Sequence, residues 1–308
     1  TYTRFDGYYE KGKPYLDGIT QIYVVDELTR TATMKSGGGH MLSAGAKLTS
    51  LQFQNQGFNI MPRPGGPFIM APDSLNADSP WSNLKVRQAA SHALDREALA
   101  KVFGYGYGGA AYQMADPTSK AYDPGLTGLK YDTAKAKQLL TEAGYPNGFK
   151  TRIVANPTSL DRDAVLAIQA QLEKVGITAE LQFPTPVQWT QINTSPVSPV
   201  NALLYLPQTN WSNFNTSLNV YYADPGAFGL MSLKKPAGWK ELYAKSLTSA
   251  LPEPAIFKEV SKAFYDDVTV IPVFYNTTVV VQSPKLRDSG VTTFGTALRW
   301  YLPNTWLS

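Results

Sequence analysis

The chain has 308 residues, 43% hydrophobic and 17% charged, with a formal net charge of +4. That length and composition suit two lobes with separate cores, and no apolar run approaches the ~20 residues needed to span a bilayer. Cysteine is absent, which excludes disulfides, thiolate metal sites and cysteine nucleophiles, and lysines and arginines form no runs of the kind that bind nucleic acid.

The opening, TYTRFDGYYEKGKPY, has no initiator methionine and no apolar signal core, so a processed or truncated chain is expected. GITQIYVVDELTRTATMKSG predicts a strand over Ile19–Val25 and a short helix ending at Gly37. LTSLQFQ (48–54) and FNIMPRPGGPFIMA (58–71) alternate apolar and polar residues and predict strands, with the Pro/Gly cluster at 62–67 marking a turn. PDSLNADSPWSN (72–83) is a polar loop and a natural boundary.

WSNLKVRQAASHALDREALAKVFGYGYG (81–108) is a basic helix in which Asp95 caps a fresh turn before Ala98 and Leu99. Its end alternates glycine with tyrosine. A phosphate-binding glycine loop follows a strand and opens a helix; this one follows a helix, so it reads as a C-cap and loop. Arg87 and Arg96 are placed on a solvated helix face. His92 on this helix and His40 in SGGGHML are too far apart to form a local ligand pair, and no metal or cofactor site is expected.

Strands and helices then alternate. Asp132 caps DTAKAKQLLTEAG, closed by Gly144 and Pro146; FKTRIVA is a strand; residues 160–175 carry Val165, Ile168, Leu172 and Val175 at helical spacing. ITAELQF, NALLYL (201–206), the helix IFKEVSKAFYDD and the strand VTVIPVFY complete the series. Such units argue for an α/β lobe around a mostly parallel sheet.

KVRQAASHALDREALAKVFGYGYG resembles the most recognisable segment of the family 5 extracellular solute-binding proteins, and GKPYLDGI, YDTAKAKQLLTEAGYPNGF, LEKVGITAEL, VTVIPVFYNTTVVV and RWYLPNTWLS follow the family in order. The resemblance implies an α/β, two-lobed periplasmic-binding-protein-like fold of the class II type with lobe one incomplete. Residues 1–77 would form part of lobe one, 78–82 a hinge or linker, 83–278 lobe two and 279–308 the return to lobe one. It further implies an extracytoplasmic place, in the periplasm or lipid-anchored at the outer face of the membrane, and delivery to the permease of an ABC importer. An incomplete lobe would leave apolar surface open to a separate N-terminal fragment or to self-association.

Residues 181–223 hold no Asp, Glu, Lys, Arg or His, yet interleave amides with aromatics. Amides supply donors and acceptors and rings supply flat apolar area, a pairing suited to a neutral polar ligand. A polar loop packed beside a core strand would account for the segment equally well. Trp189, Tyr205, Asn210, Trp211, Asn213, Phe214 and Tyr222 are the candidate ligand-binding residues here, with Tyr275 on the hinge side of the cleft. The family binds peptides with a tryptophan followed shortly by an aspartate that pairs with the α-amino group. Trp211 matches the tryptophan, while Asn213 or Phe214 stands where the acid belongs. An amide cannot replace that charge-assisted bond, which favours a neutral ligand such as an oligosaccharide or a blocked peptide unless Asp224 or Glu10 supplies the charge. Trp300 and Trp306 are expected to pack the C-terminal tail.

The expected function is a receptor capturing a small molecule or short peptide between two lobes. A ligand-sensing domain of a regulator is the alternative. GxSxG, HExxH and Walker-type motifs are absent, and the charge-poor segment lacks the carboxylates a glycoside hydrolase would use. An enzyme is not expected.

Overall fold

The computed structural model describes residues 1–24, 26–45, 48–157, 161–194, 201–208, 214–223, 230, 232–248, 254–294, 297–299 and 302–308. Contacts divide the chain into unit 1, residues 1–63 with 277–308, and unit 2, residues 64–276.

Unit 1 begins with β1 (Tyr2–Thr3) and β2 (Gly18–Ile19), a short antiparallel pair. The strand predicted over Ile19–Val25 stops there: residues 20–24 find no ladder, and Ile22 and Tyr23 lie exposed. Strand propensity needs a partner to act on. Helix α1 (Glu27–Lys35) forms as predicted, with the Asp26 carboxylate accepting from Thr29 N and Gly37 left-handed at its end. β3 (Met41–Gly45) pairs antiparallel with residues 278–282. LTSLQFQ is not a strand. It supplies α2 (Leu48–Leu51), after which left-handed Asn55 and Gly57 turn the chain and bring Phe58 edge-on to Phe53 at 5.0 Å.

β4 (Asn59–Pro72) runs straight through the Pro/Gly cluster that sequence assigned to a turn. Gly65 explains the composition: a Cβ there would stand 2.6 Å from the Asn276 carbonyl, so glycine serves close backbone approach. Unit 2 begins within this strand. Residues 64–77, expected in lobe one, and 78–82, expected as a linker, therefore belong to unit 2. The polar letters mislead because they bond internally. Asp73 Oδ2 accepts from Asn201 N at 2.7 Å and Ser79 Oγ accepts from Trp81 N. Trp81 itself is buried, its indole donating to Thr151 Oγ1 at 2.9 Å.

Helices α3 (Leu84–His92) and α4 (Arg96–Phe103) follow, capped by Asn83 and, as predicted, by Asp95. Gly104 is the C-cap of α4 and Gly106 is left-handed, so GYGYG is a helix end and loop. Asp132 caps α5 (Thr133–Glu142) and left-handed Gly144 closes it. β5 (Phe149–Ala155), α6 (Arg162–Glu173) and β6 (Ile177–Gln182) form a parallel βαβ unit. α7 (Pro186–Thr194) leads to β7 (Ala202–Pro207), parallel to β5 and antiparallel to β4. Then come α8 (Phe214–Tyr221), α9 (Trp239–Thr248), α10 (Pro254–Asp266) and β8 (Ile271–Gln282).

The strand order in unit 2 is β8-β4-β7-β5-β6. Alternation along the inner strands separates two cores. Met70, Ile153, Leu203 and Tyr205 pack with α3–α6, whereas Ile69, Val154, Leu204 and Leu206 pack with α8–α10. Beyond β8 the chain is again in unit 1, where β9 (Leu286–Arg287), β10 (Thr292–Phe294), β11 (Ala297–Arg299) and β12 (Trp306–Leu307) make two small antiparallel pairs. Trp306, expected to pack the tail, is exposed, and its indole donates to Asp288 Oδ2 at 2.8 Å; Trp300 lies outside the described residues.

Arg87 and Arg96 do not face solvent: each is 2% exposed. Arg87 donates to the carbonyls of Trp81, Ser82, Asp267 and Val268 and to Asp267 Oδ1. Two of those acceptors, the Asp267 and Val268 carbonyls, lie just past the end of α10, where Val268, at φ +46°, occupies the left-handed C′ position and Thr269 N reaches back to Phe264 O. Arg96 donates to the carbonyls of Pro272, Ser91 and Leu129 and to Ser91 Oγ. Both guanidiniums thus fasten the start of β8 to the α3–α4 pair.

Candidate ligand-binding site

In an open α/β sheet, ligands bind beyond the carboxyl ends of the parallel strands. In unit 2 those ends are Ala155 of β5, Gln182 of β6 and Pro207 of β7, and antiparallel pairing sets Phe68 of β4 opposite Pro207. Phe68 stacks on Tyr205 at 5.4 Å and contacts Phe274 at 5.1 Å, giving this edge an aromatic floor. Gln208, the residue after β7, donates its backbone N–H to Pro67 O at 2.7 Å.

Two buried polar atoms at this edge have no hydrogen-bond partner among the described residues: the Tyr205 hydroxyl and Gln208 Nε2. Gln208 Oε1 accepts from the Tyr222 hydroxyl at 3.4 Å. A buried donor left unpaired costs about 1–3 kcal/mol, so a partner for each is to be sought in solvent or ligand. Burial, and then the Asp161 carboxylate, push the Tyr205 hydroxyl well above the ordinary tyrosine range. Burial likewise raises Tyr222, with a smaller push from Tyr221. Both stay neutral donors at physiological pH. The nearby acid is already engaged: Asp161 caps α6 through Asp163 N and Ala164 N and accepts from the Tyr105 hydroxyl at 3.2 Å.

Of the sequence candidates, Tyr205 packs into the first core near the end of β7, and Tyr222 packs into the second core, where its hydroxyl reaches Gln208 Oε1. Trp189 packs from α7 into the second core beside Leu204 and Leu206. Tyr275 is buried, its hydroxyl donating to Ala115 O at 3.0 Å. Phe214 opens α8, while Asn210, Trp211 and Asn213 lie outside the described residues, as does Asp224. Gln208 is absent from the sequence candidates, although an amide directly after LLYLP, at the carboxyl end of a buried parallel strand, was the signal for it. Among the described residues no group of three or more His, Asp or Glu could hold a metal ion, and no helix is long and apolar enough to cross a membrane.

A layered α/β unit joined to a second unit by two chain crossings defines the two-lobed periplasmic binding proteins. HbpA2 from Haemophilus parasuis superposes with a TM-score of 0.81 at 21% identity, over 99% of this chain and 61% of that one. The oligopeptide-binding protein AppA from Bacillus subtilis, in complex with a nonapeptide, gives 0.74 at 19% identity, over 99% and 63%. The chain belongs to the bacterial extracellular solute-binding proteins, family 5, whose model matches residues 1–238. Glutathione-binding protein GsiB is 34% identical in Salmonella paratyphi A (strain ATCC 9150 / SARB42) and 35% in Escherichia coli (strain K12), in each case over 58% of this chain. The aligned stretch is 35% of the length of each of those relatives. The family, by its description, is one of solute-binding proteins.

Proposed function

We propose that this protein is the receptor of an ABC importer and that unit 2 contributes the carboxyl edge of β5 and β7 to ligand binding. The observation that carries the reading is the pair of unpaired buried donors, the Tyr205 hydroxyl and Gln208 Nε2, next to a stretch of chain without charge. Neutral donors over an aromatic floor suit the carbonyls of a peptide-like ligand or the hydroxyls of an oligosaccharide. The names of the GsiB and AppA relatives favour the peptide-like class. Native mass spectrometry of the purified protein, followed by calorimetry with glutathione, short peptides and oligosaccharides, tests this. Tyr205→Phe and Gln208→Leu should each weaken binding; unchanged affinity in both would remove the edge from the site.

Unit 1 supports a further partner. A groove of about 460 Å³ is lined by Leu16, Ile19, Ile22, Met34 and Leu42 together with Arg30, whose Nε is buried without a partner among the described residues. Tyr23 beside it is 92% exposed, and Phe5 and Tyr9 are exposed nearby in sequence. Solved chains of the fold carry polypeptide beyond what this chain matches. A separate fragment of that kind is the proposed occupant, with self-association the competing outcome. Delivery to a membrane permease, and lipid anchoring at the outer face, belong to the same proposal.

A further inference from the structure

Asn147–Gly148 is the one asparagine–glycine pair in the chain; every other asparagine is followed by a bulkier residue. With no Cβ beside it, a glycine nitrogen is the least hindered backbone nucleophile that a carboxamide can have as its neighbour. The pair lies in the turn between α5 and β5. Gly148 N donates to Tyr145 O at 3.0 Å, with Pro146 at the second position and Asn147, at negative φ, at the third. These are the features of a type I turn. Asn147 is exposed, and its carboxamide makes no hydrogen bond among the described residues.

Packing fixes the glycine. Gly148 sits at φ +73° against Gly176, where a Cβ would stand 1.9 Å from the Gly176 carbonyl oxygen. Phe149 N donates to that same oxygen at 3.1 Å, at the first rung between β5 and β6. The fold therefore demands at 148 the residue that leaves Asn147 labile. The turn also restrains the pair: its third residue has ψ of about 0°, which aims the Gly148 nitrogen at Tyr145 O. Ring closure onto the side chain needs that bond released.

We propose that Asn147 is a site of spontaneous deamidation, gated by the turn that Gly148 closes. When the turn opens, Gly148 N attacks Asn147 Cγ. The new N–Cγ bond closes a cyclic imide, the Cγ–Nδ2 bond breaks, and Nδ2 leaves as ammonia with the Gly148 amide proton. Water then opens the imide at either carbonyl. Addition at Cγ gives aspartate on an unchanged main chain. Addition at the Asn147 main-chain carbonyl gives isoaspartate, whose main chain runs through Cβ and is one atom longer. Either product sets a carboxylate just past the C-terminal end of α5, where the helix carbonyls already carry partial negative charge. The longer chain of isoaspartate cannot keep both the Tyr145–Gly148 bond and the contact with Gly176, so it loosens the start of β5. The proposed ligand edge lies at the opposite end of that strand.

The test is incubation of the purified chain at mildly alkaline pH, folded and in urea, with peptide mapping by mass spectrometry that separates aspartate from isoaspartate. Expected in the folded protein are conversion of Asn147 ahead of every other asparagine, and both products at that position. In urea the rate should rise roughly 10- to 100-fold, the equilibrium cost of releasing the Gly148 and Phe149 hydrogen bonds. Asn147→Gln, at an exposed position without hydrogen bonds, should fold as wild type does and accumulate no acidic form. Of the two separated products, the isoaspartate form should unfold at the lower urea concentration. Another asparagine converting first in the folded protein would overturn the proposal, as would aspartate without isoaspartate, the mark of direct hydrolysis. Equal rates folded and in urea would overturn the gating.

Discussion

Replacing Arg87 by lysine keeps the charge and removes the geometry. The guanidinium reaches five acceptor atoms: four carbonyls and Asp267 Oδ1. A lysine ammonium has three protons on one nitrogen and can satisfy at most three of them. Two buried or half-buried carbonyls are then left unpaired, at about 1–3 kcal/mol each. Asp267 keeps some solvent access, so the lower half of that range applies, and a loss of about 2–4 kcal/mol is expected. The cost should fall where Arg87 acts, on the left-handed C-cap at Val268 and the start of β8. Urea unfolding followed by circular dichroism gives the magnitude, and hydrogen exchange of the Val268 and Thr269 amides gives the location. A loss under about 0.5 kcal/mol, with those amides equally protected, would refute the clamp.

Other outcomes follow from the same geometry. Gly148→Ala should destabilise by at least about 2 kcal/mol, because a Cβ there would stand 1.9 Å from Gly176 O at φ +73°; a melting temperature unchanged within a degree would contradict this. Asp73 is held above the usual carboxylate range by burial, against the opposing bond from Asn201 N. A raised acid binds its proton more tightly when folded, so its contribution to stability is full below pH 3.8 and is lost as pH rises through the folded value. Asp73→Asn does not titrate, so wild type should gain on the variant as pH falls from 7 to 4; a constant difference would refute the assignment. Trp211→Ala should weaken ligand binding more than Trp306→Ala, whose ring is occupied with Asp288; equal losses by calorimetry would remove Trp211 from the site. Size-exclusion chromatography should show unit 1 drawing in a second polypeptide or a second copy, and a lone compact monomer would count against the groove's proposed occupant.

The helices and the parallel strands were legible because local chemistry and tertiary packing agree there. Asp95 and Asp132 cap the turns their sequence context assigns to them, and Val165, Ile168 and Leu172 face the core at the spacing that predicted it. The errors arise where a residue's usual habit was overridden by a partner distant in sequence. PRPGG reads as a turn until Asn276 is known to lie against Gly65. Residues 20–24 read as part of a strand until it is seen that they join no ladder. Arg87 and Arg96 read as solvated because an isolated arginine on a helix almost always is, and their acceptors come from residues as much as 181 positions away.

The candidate site was only half legible, for a related reason. Missing charge over residues 181–223 does not mark one uniform environment: residues 185–188, 190 and 191 are exposed, and the buried residues of the segment are uncharged for two different causes. Trp189 and Tyr222 are uncharged because they build the second core under β7. Gln208 is uncharged and yet polar, buried at a strand's carboxyl end with an amide proton donor unspent. Composition cannot separate these cases, because both exclude charge to avoid desolvation. Satisfaction of hydrogen bonds can, since a core side chain is complete without a ligand and a binding side chain is not. That criterion selects Tyr205, Gln208 and also Asn201, whose Oδ1 is buried without a partner among the described residues; only Tyr205 and Gln208 stand toward the carboxyl end of β7, so substitutions there weigh more in testing the proposed site than any at Trp189.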